Sequence, residues 1–305
     1  MTFLILSIVS YASMMLIFKL MERFKADTFQ SIIFNYITAA VLGFTVMDND
    51  LSVSNIIHAH WFPNAILIGL AFISLFYLIA ITAQKAGVSV ATVANKMSVI
   101  IPIIFAFFLY NDSVTFIKIS GIVLAFVGVY MATKKEVAYS EENPGEINLR
   151  SPKEKKEIDK RYLYLPVILF IGSGFLDTYI NYTQKHHLAG AAESIDFVPV
   201  VFSVAAITGG IILLAKFIVS SSIFAFKNIL WGMILGFFNY FSLYFMLESL
   251  NLGYLESSVI FTINNIGIVS LSTLASYVFF KEYLSRINKT GIVLCLIAIL
   301  LISFS

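Results

Sequence analysis

Charge is scarce in this sequence. Asp, Glu, Lys and Arg make up 12% of its 305 residues, whereas hydrophobic types make up 59%. A water-soluble domain needs about 25% charged residues to cover its surface. The shortfall excludes an ordinary soluble protein and implies a second solvent, the lipid bilayer. Cysteine is scarcer still: Cys295 stands alone, which excludes an intrachain disulfide and a cysteine-based metal cluster. Also missing are His-Glu-x-x-His, Gly-x-Ser-x-Gly and any phosphate-binding glycine loop, so the chain reads as no enzyme. The first apolar run, Thr2 to Phe18, lacks the basic n-region and cleavage site of a signal peptide and is expected to be retained.

What is present is a series of long apolar runs. A bilayer core asks for about 20 apolar residues per helix. Ten segments meet that requirement: 2–18, 29–47, 62–84, 88–110, 115–133, 162–183, 195–219, 228–250, 255–280 and 287–304. Short joints such as Ala86-Gly87, Asn111-Asp112-Ser113 and Leu252-Gly253 favour antiparallel neighbours. The exception is 134–161, polar, highly charged and carrying Pro144-Gly145, which reads as a linker.

The two sides of that linker resemble each other. Tyr110-Asn-Asp112 followed by Gly121 matches Phe280-Lys-Glu282 followed by Gly291. Ile73 to Leu78 resembles Phe241 to Met246, and Ala39-Ala40 with Gly43 lines up with Ala205-Ala206 and Gly209. These matches lie about 170 residues apart and argue for internal duplication. Five helices per half is an odd number, so the second half must enter the membrane in the opposite direction. The expected fold is an all-α integral membrane protein of ten transmembrane helices, built as two inverted five-helix repeats. The first repeat would be 1–133, the charged cytoplasmic linker 134–161 and the second repeat 162–305.

The basic residues sort by face. Of the 20, one set of joints holds Lys19, Arg23 and Lys25; Lys85; the eight of the linker; Lys216 and Lys227; and Lys281, Arg286 and Lys289. The opposite joints hold only Lys118 and Lys185, while Lys96 falls inside a segment. The positive-inside rule puts the basic face in the cytoplasm and both termini outside, in a multi-pass membrane protein.

Intramembrane polar residues are costly and therefore candidates for function. Lys96 lies nine residues past Gly87, about 13 Å along the helix axis. Ser89, Thr92 and Lys96 share one stripe at i, i+3, i+7, with Asn95 beside them. Lys96 reads either as a cavity cation that meets a substrate anion, or as a structural lysine tied to carbonyls or a carboxylate. Asp177 is the acidic counterpart, on a polar face with Ser173, Asn181 and Gln184. It reads either as a buried, proton-carrying carboxylate or as a residue wetted from outside. Ser74, Tyr77 and Gln84 in 62–84, Asn239, Tyr240, Tyr244 and Glu248 in 228–250, and Ser258, Thr262, Asn265, Ser272 and Ser276 in 255–280 complete the candidate lining. As a set they suit a small amphiphilic solute. Singly, each is better explained by interhelical hydrogen bonding. Gly232-x-x-x-Gly236 and Gly121-x-x-x-Ala125 read as close-packing motifs. His58, His60, His186 and His187 fall on the outer face, where no metal site is expected.

The paired acidic turns at Asp112 and Glu282, and the glycine-led segments Gly121 to Gly128 and Gly291 to Ala298, resemble the drug/metabolite transporter superfamily, and within it the EamA-like bacterial permeases. That resemblance implies alternating access around a central cavity lined by the first, third, fourth, sixth, eighth and ninth segments. It implies transport of a small organic metabolite, amino-acid-like or otherwise amphiphilic, with export favoured over import. The alternative, a membrane-embedded enzyme or a channel, has no recognisable motif here. The expected partners are a small-molecule substrate and the lipid bilayer, with no nucleic acid, no cofactor and no metal, in a monomer or homodimer. From the charge distribution, a C-terminal reporter that fluoresces only in the cytoplasm is expected to stay dark. A bright fusion reverses the orientation.

Overall fold

The computed structural model describes residues 1–45, 53–109, 115–133, 162, 164–188, 191–219, 225–252, 257–282 and 284–303. The expected linker and the turn at Asp112 lie outside these residues. Among the described residues the chain forms twelve α-helices and no strand. They are α1 (Thr2–Arg23), α2 (Thr28–Phe44), α3 (Val53–His58), α4 (Phe62–Lys85), α5 (Val88–Met97), α6 (Ile100–Leu109), α7 (Phe116–Thr133), α8 (Leu165–His187), α9 (Ala191–Val219), α10 (Phe226–Asn251), α11 (Ser257–Phe280) and α12 (Arg286–Ser303). Among the described residues six stretches are long and apolar enough to cross a membrane: α1, α4, Val88–Phe105, and most of α9, α10 and α11.

Local chemistry explains where the helices begin. Asp27 accepts the backbone N–H of Gln30 at 2.9 Å and caps α2. Proline occupies the first turn of α4 and α8, where its missing N–H costs nothing. The segment 88–110 differs from expectation: it is two helices, α5 and α6, interrupted at Ser98 and Val99. Pro102 is the cause. Its ring crowds the carbonyl four residues back, that of Ser98, and it has no N–H to donate there. Ile101 takes the Ser98 carbonyl instead, at 2.9 Å.

Burial is arranged for lipid. Val167, Ile168, Ile171 and Phe175 of α8, and Leu230, Met233, Ile234 and Phe237 of α10, are exposed apolar stripes. In water such belts would be a severe liability; in hydrocarbon they are the favourable surface. The interior holds Phe18, Tyr36, Met97 and Leu169, together with buried Gln30, Asn35, Thr82 and Thr92. Helices from the two ends of the chain interleave: α2 packs on α9 and α10, α1 on α10 and α11, α5 on α8 and α11, and α7 on α12.

Small residues permit the closest approach. A Cβ at Gly232 would meet the Ser31 carbonyl oxygen at 2.5 Å, and one at Gly236 would meet that of Asn35 at 2.5 Å. The glycine pair in α10 therefore packs against the α2 backbone, as its spacing suggests. Gly210 of α9 has nothing within 4 Å of a Cβ position. Gly236→Ala should lower stability by about 1–3 kcal/mol through overpacking. Gly210→Ala should be neutral, or stabilise by up to about 1 kcal/mol through the lost freedom of glycine. Thermal melts of the two purified variants in one detergent check the contrast.

Candidate functional site

The site is built where α5 stops. Gly87, with φ +110°, turns the chain from α4 into α5, a backbone conformation that favours glycine. Ten residues later α5 ends, and Lys96 falls in its last turn. A cation at a helix C-terminus is favoured by the aligned peptide dipoles. The break also turns the Asn95 carbonyl into an acceptor for both the backbone N–H and the hydroxyl of Ser98.

Three helices meet there. The Lys96 ammonium lies 3.7 Å from the centroid of the Tyr11 ring of α1, a cation–π contact. Asn95 donates from Nδ2 to the Tyr11 hydroxyl at 3.1 Å, so neighbouring residues of α5 hold opposite parts of one ring. On the other side, the single hydroxyl hydrogen of Ser98 is shared between the Asn95 carbonyl and Oδ2 of Asp177 on α8, the latter at 3.1 Å. Lys96 and Asp177 interact electrostatically without closing to a contact ion pair. Both side chains are enclosed by protein, yet each keeps part of its surface accessible. The arrangement places a positive centre, a negative centre and an aromatic face within one helix junction.

The remaining candidates divide. Thr92 is fully buried and donates back to the Val88 carbonyl, so its hydroxyl is spent within α5. Asn181, one turn beyond Asp177, is exposed. Ser74 is exposed and donates to the Leu70 carbonyl, and Tyr77 is exposed with its ring edge-on to Phe29. Both belong to the stripe of α4 opposite its buried face, so the structure does not bring them to Lys96. Asn239 donates to Oδ1 of Asn35 at 3.2 Å across the α2–α10 seam, a packing contact. Tyr240 is buried and stacks on half-buried Tyr244 at 6.0 Å. Asn265 is half-buried on α11, the helix that packs on α1 and α5. The side chain of Thr262 lies outside the described residues. Among the described residues no group of three or more His, Cys, Asp or Glu could hold a metal ion.

Tyr11 and Ser98 were missed in the sequence reading. Tyr11 continues a polar line with Ser7, whose hydroxyl donates to the Ser242 carbonyl at 2.8 Å, but tyrosine among apolar neighbours gives little signal. Pro102 four residues after Ser98 was the available pointer to the break. A double-mutant cycle of Tyr11→Leu and Lys96→Met should return a coupling of about 0.5–2 kcal/mol for a desolvated cation–π pair. Tyr11→Phe keeps the ring and loses the Asn95 bond, costing about 1 kcal/mol in the same melts.

The comparisons agree with this architecture. The model of the EamA-like transporter family matches residues 1–134. An uncharacterized protein of Haemophilus influenzae is 26% identical over 302 residues, spanning 97% of this chain and 95% of its own. A solved crystal structure with 11% identity superposes at a TM-score of 0.59 over 98% of this chain and 94% of its own, a likeness of fold. Residues 1–134 are thus similar to the EamA-like transporter family, consistent with the drug/metabolite transporter superfamily, and the apolar helices suited to a membrane accord with that match.

Proposed function

We propose that the chain is a secondary transporter of a small anionic or zwitterionic organic solute, working by alternating access between two inverted five-helix halves. The observation that carries this reading is Lys96 at the broken end of α5, facing Asp177 and lying over Tyr11. Discontinuous helices with polar groups at the break are how secondary transporters build solute sites near the bilayer midplane. A channel or enzyme gives no comparable reason for the break.

The packing supports the ten-span, two-repeat description. Count α5 and α6 as one span and set α3 aside as a six-residue helix. Exchanging the halves then carries the α2–α10 contact onto α9–α4, α1–α10 onto α8–α4, and α1–α11 onto the contacts of α8 with α5 and α6. The contacts α2–α9, α5–α11 and α7–α12 map onto themselves. A two-fold relation between halves has this consequence. Lys19, Lys85 and Glu22 meet at one end, and Lys227 donates to the Lys25 carbonyl there. That gathering agrees with a basic, cytoplasmic face in a bacterial inner membrane and extracytoplasmic termini. Export of the solute rests on the family likeness alone.

In this mechanism Lys96 is the fixed charge for a carboxylate or phosphate group, Tyr11 and Asn95 hold it in place, and Asp177 balances it when the site is empty. Tyr240, Tyr244 and Asn265 would meet the rest of the solute. A counterflow screen of proteoliposomes against amino acids, organic acids, sugar phosphates, nucleosides and cationic drugs identifies the substrate. With that solute, Lys96→Gln should slow transport about 10- to 100-fold, the effect of losing a charged hydrogen bond. Lys96→Arg should rescue only in part, because a planar guanidinium fits differently over the ring. If Lys96→Gln lowers the melting temperature by stranding Asp177, adding Asp177→Asn should restore the melting temperature and not the transport. Full transport by Lys96→Gln would refute the assignment.

A further inference from the structure

We infer that Glu282 is the positioning residue of the Lys96 half-helix and the latch that closes the basic end of the route to it; the word route rests on the transporter reading above. The observation lies at the opposite end of α5 from the site. A helix leaves its first backbone N–H groups without intrahelical partners. The N-cap of α5 is Gly87, whose lack of a side chain leaves those groups to be satisfied from elsewhere. The partner comes from beyond α11: Glu282 accepts the Val88 N–H at Oε1, 3.0 Å, and the Ser89 N–H at Oε2, 3.5 Å. Its negative charge also sits at the positive end of the helix dipole. Lys281, at φ +51°, makes the turn that delivers it. A Cβ on Gly87 would lie 3.2 Å from the carboxylate, so the glycine keeps the cap accessible as well as shaping the turn. In the same first turn, the hydroxyls of Ser89 and of Ser276 of α11 meet at 2.7 Å, and both residues are buried.

These contacts have a mechanical consequence. α5 is a ten-residue rod, about 15 Å long, joined to α6 through the turn at Ser98 and Val99. Its two ends are held differently: Glu282 fixes the first turn, while Tyr11 holds Lys96 in the last. A rod free to pivot at the break transmits a load on Lys96 to the Glu282 cap. With the cap engaged, α5 and α11 are closed against each other at the basic end. With it released, the first turn of α5 can swing from α11 and expose the line from Ser89 inward to Lys96.

The test uses the full-length protein in membranes and needs no substrate. Ser89→Cys is labelled with a membrane-impermeant maleimide applied separately to each face, and native Cys295, fully buried, reports unfolding in the same sample. Labelling at position 89 should be slow. It should rise about 5- to 30-fold in Glu282→Gln, the range that loss of a charged cap allows. Glu282→Asp should return it toward the starting rate, and the increase should appear only from the basic face and persist in Lys96→Gln. An unchanged rate in Glu282→Gln, labelling from the opposite face, or labelling of Cys295 in step with position 89 would each overturn the latch. Because solute never enters the assay, failure here leaves the Lys96 assignment to be judged by transport, and failure there leaves the latch to be judged by labelling.

Discussion

The interruption of one helix by Pro102 is the constraint on which the site depends. In hydrocarbon every backbone N–H and C=O must find a partner, so an unbroken helix is the default spanning element. A proline inside a helix removes one donor and crowds one carbonyl. The chain accommodates this by ending α5 at Met97 and restarting at Ile100, with Ile101 taking the Ser98 carbonyl. Several features follow together. Lys96 gains a helix C-terminus, which favours its charge. Ser98 leaves the regular ladder, and its hydroxyl becomes available to Asp177. The carbonyl of Asn95 gathers two donors from Ser98, while its amide reaches Tyr11. An ammonium at the centre of a membrane helix costs about 2.5–3.5 kcal/mol. The dipole, the Tyr11 ring and the Asp177 charge are the local terms that offset it.

The rest of the fold keeps that junction enclosed in protein within a lipid solvent. Apolar stripes on α8 and α10 face outward, so burial of oil against oil contributes little to holding helices together. Close backbone approach and short polar contacts replace it. Gly232 and Gly236 bring α10 onto α2, and Ser7, Asn228 and Asn288 bond across to residues far along the chain. Most of these contacts join residues before the expected linker to residues after it. The folded unit is therefore one interleaved bundle, and a motion that separates the halves has to break named polar contacts at one end while others remain.

Much of this was legible in the sequence, and the limits have physical causes. Long apolar runs locate helices because the bilayer sets their length; segments 2–18 and 62–84 fall within α1 and α4. Lys96 and Asp177 stood out because charge is expensive there, and the structure brings them together through Ser98. Spacing alone does not place Ser74 and Tyr77. A polar stripe at helical period says that residues share a face, not which face, and theirs is the exposed one of α4. Tyr11 was hidden because an aromatic residue in an apolar run counts toward hydropathy whether or not its hydroxyl is used. The break was hidden because hydropathy averages over Pro102. The acidic turn at Glu282 was visible as a repeat signature, but its target, two N–H groups about 190 residues away, is a tertiary fact.

The proposed function requires Lys96 to occupy a wet recess that a solute can enter, rather than a dry structural niche. Replacing it with cysteine and treating the protein in membranes with a small positively charged methanethiosulfonate tests this directly, with intact-protein mass as the readout. A recess predicts that position 96 is modified at a measurable rate from the aqueous phase, while buried Cys295 is not, and that restoring the positive charge raises the melting temperature of the cysteine variant. A position 96 that stays unmodified from both faces, in a protein that remains folded, would contradict the account.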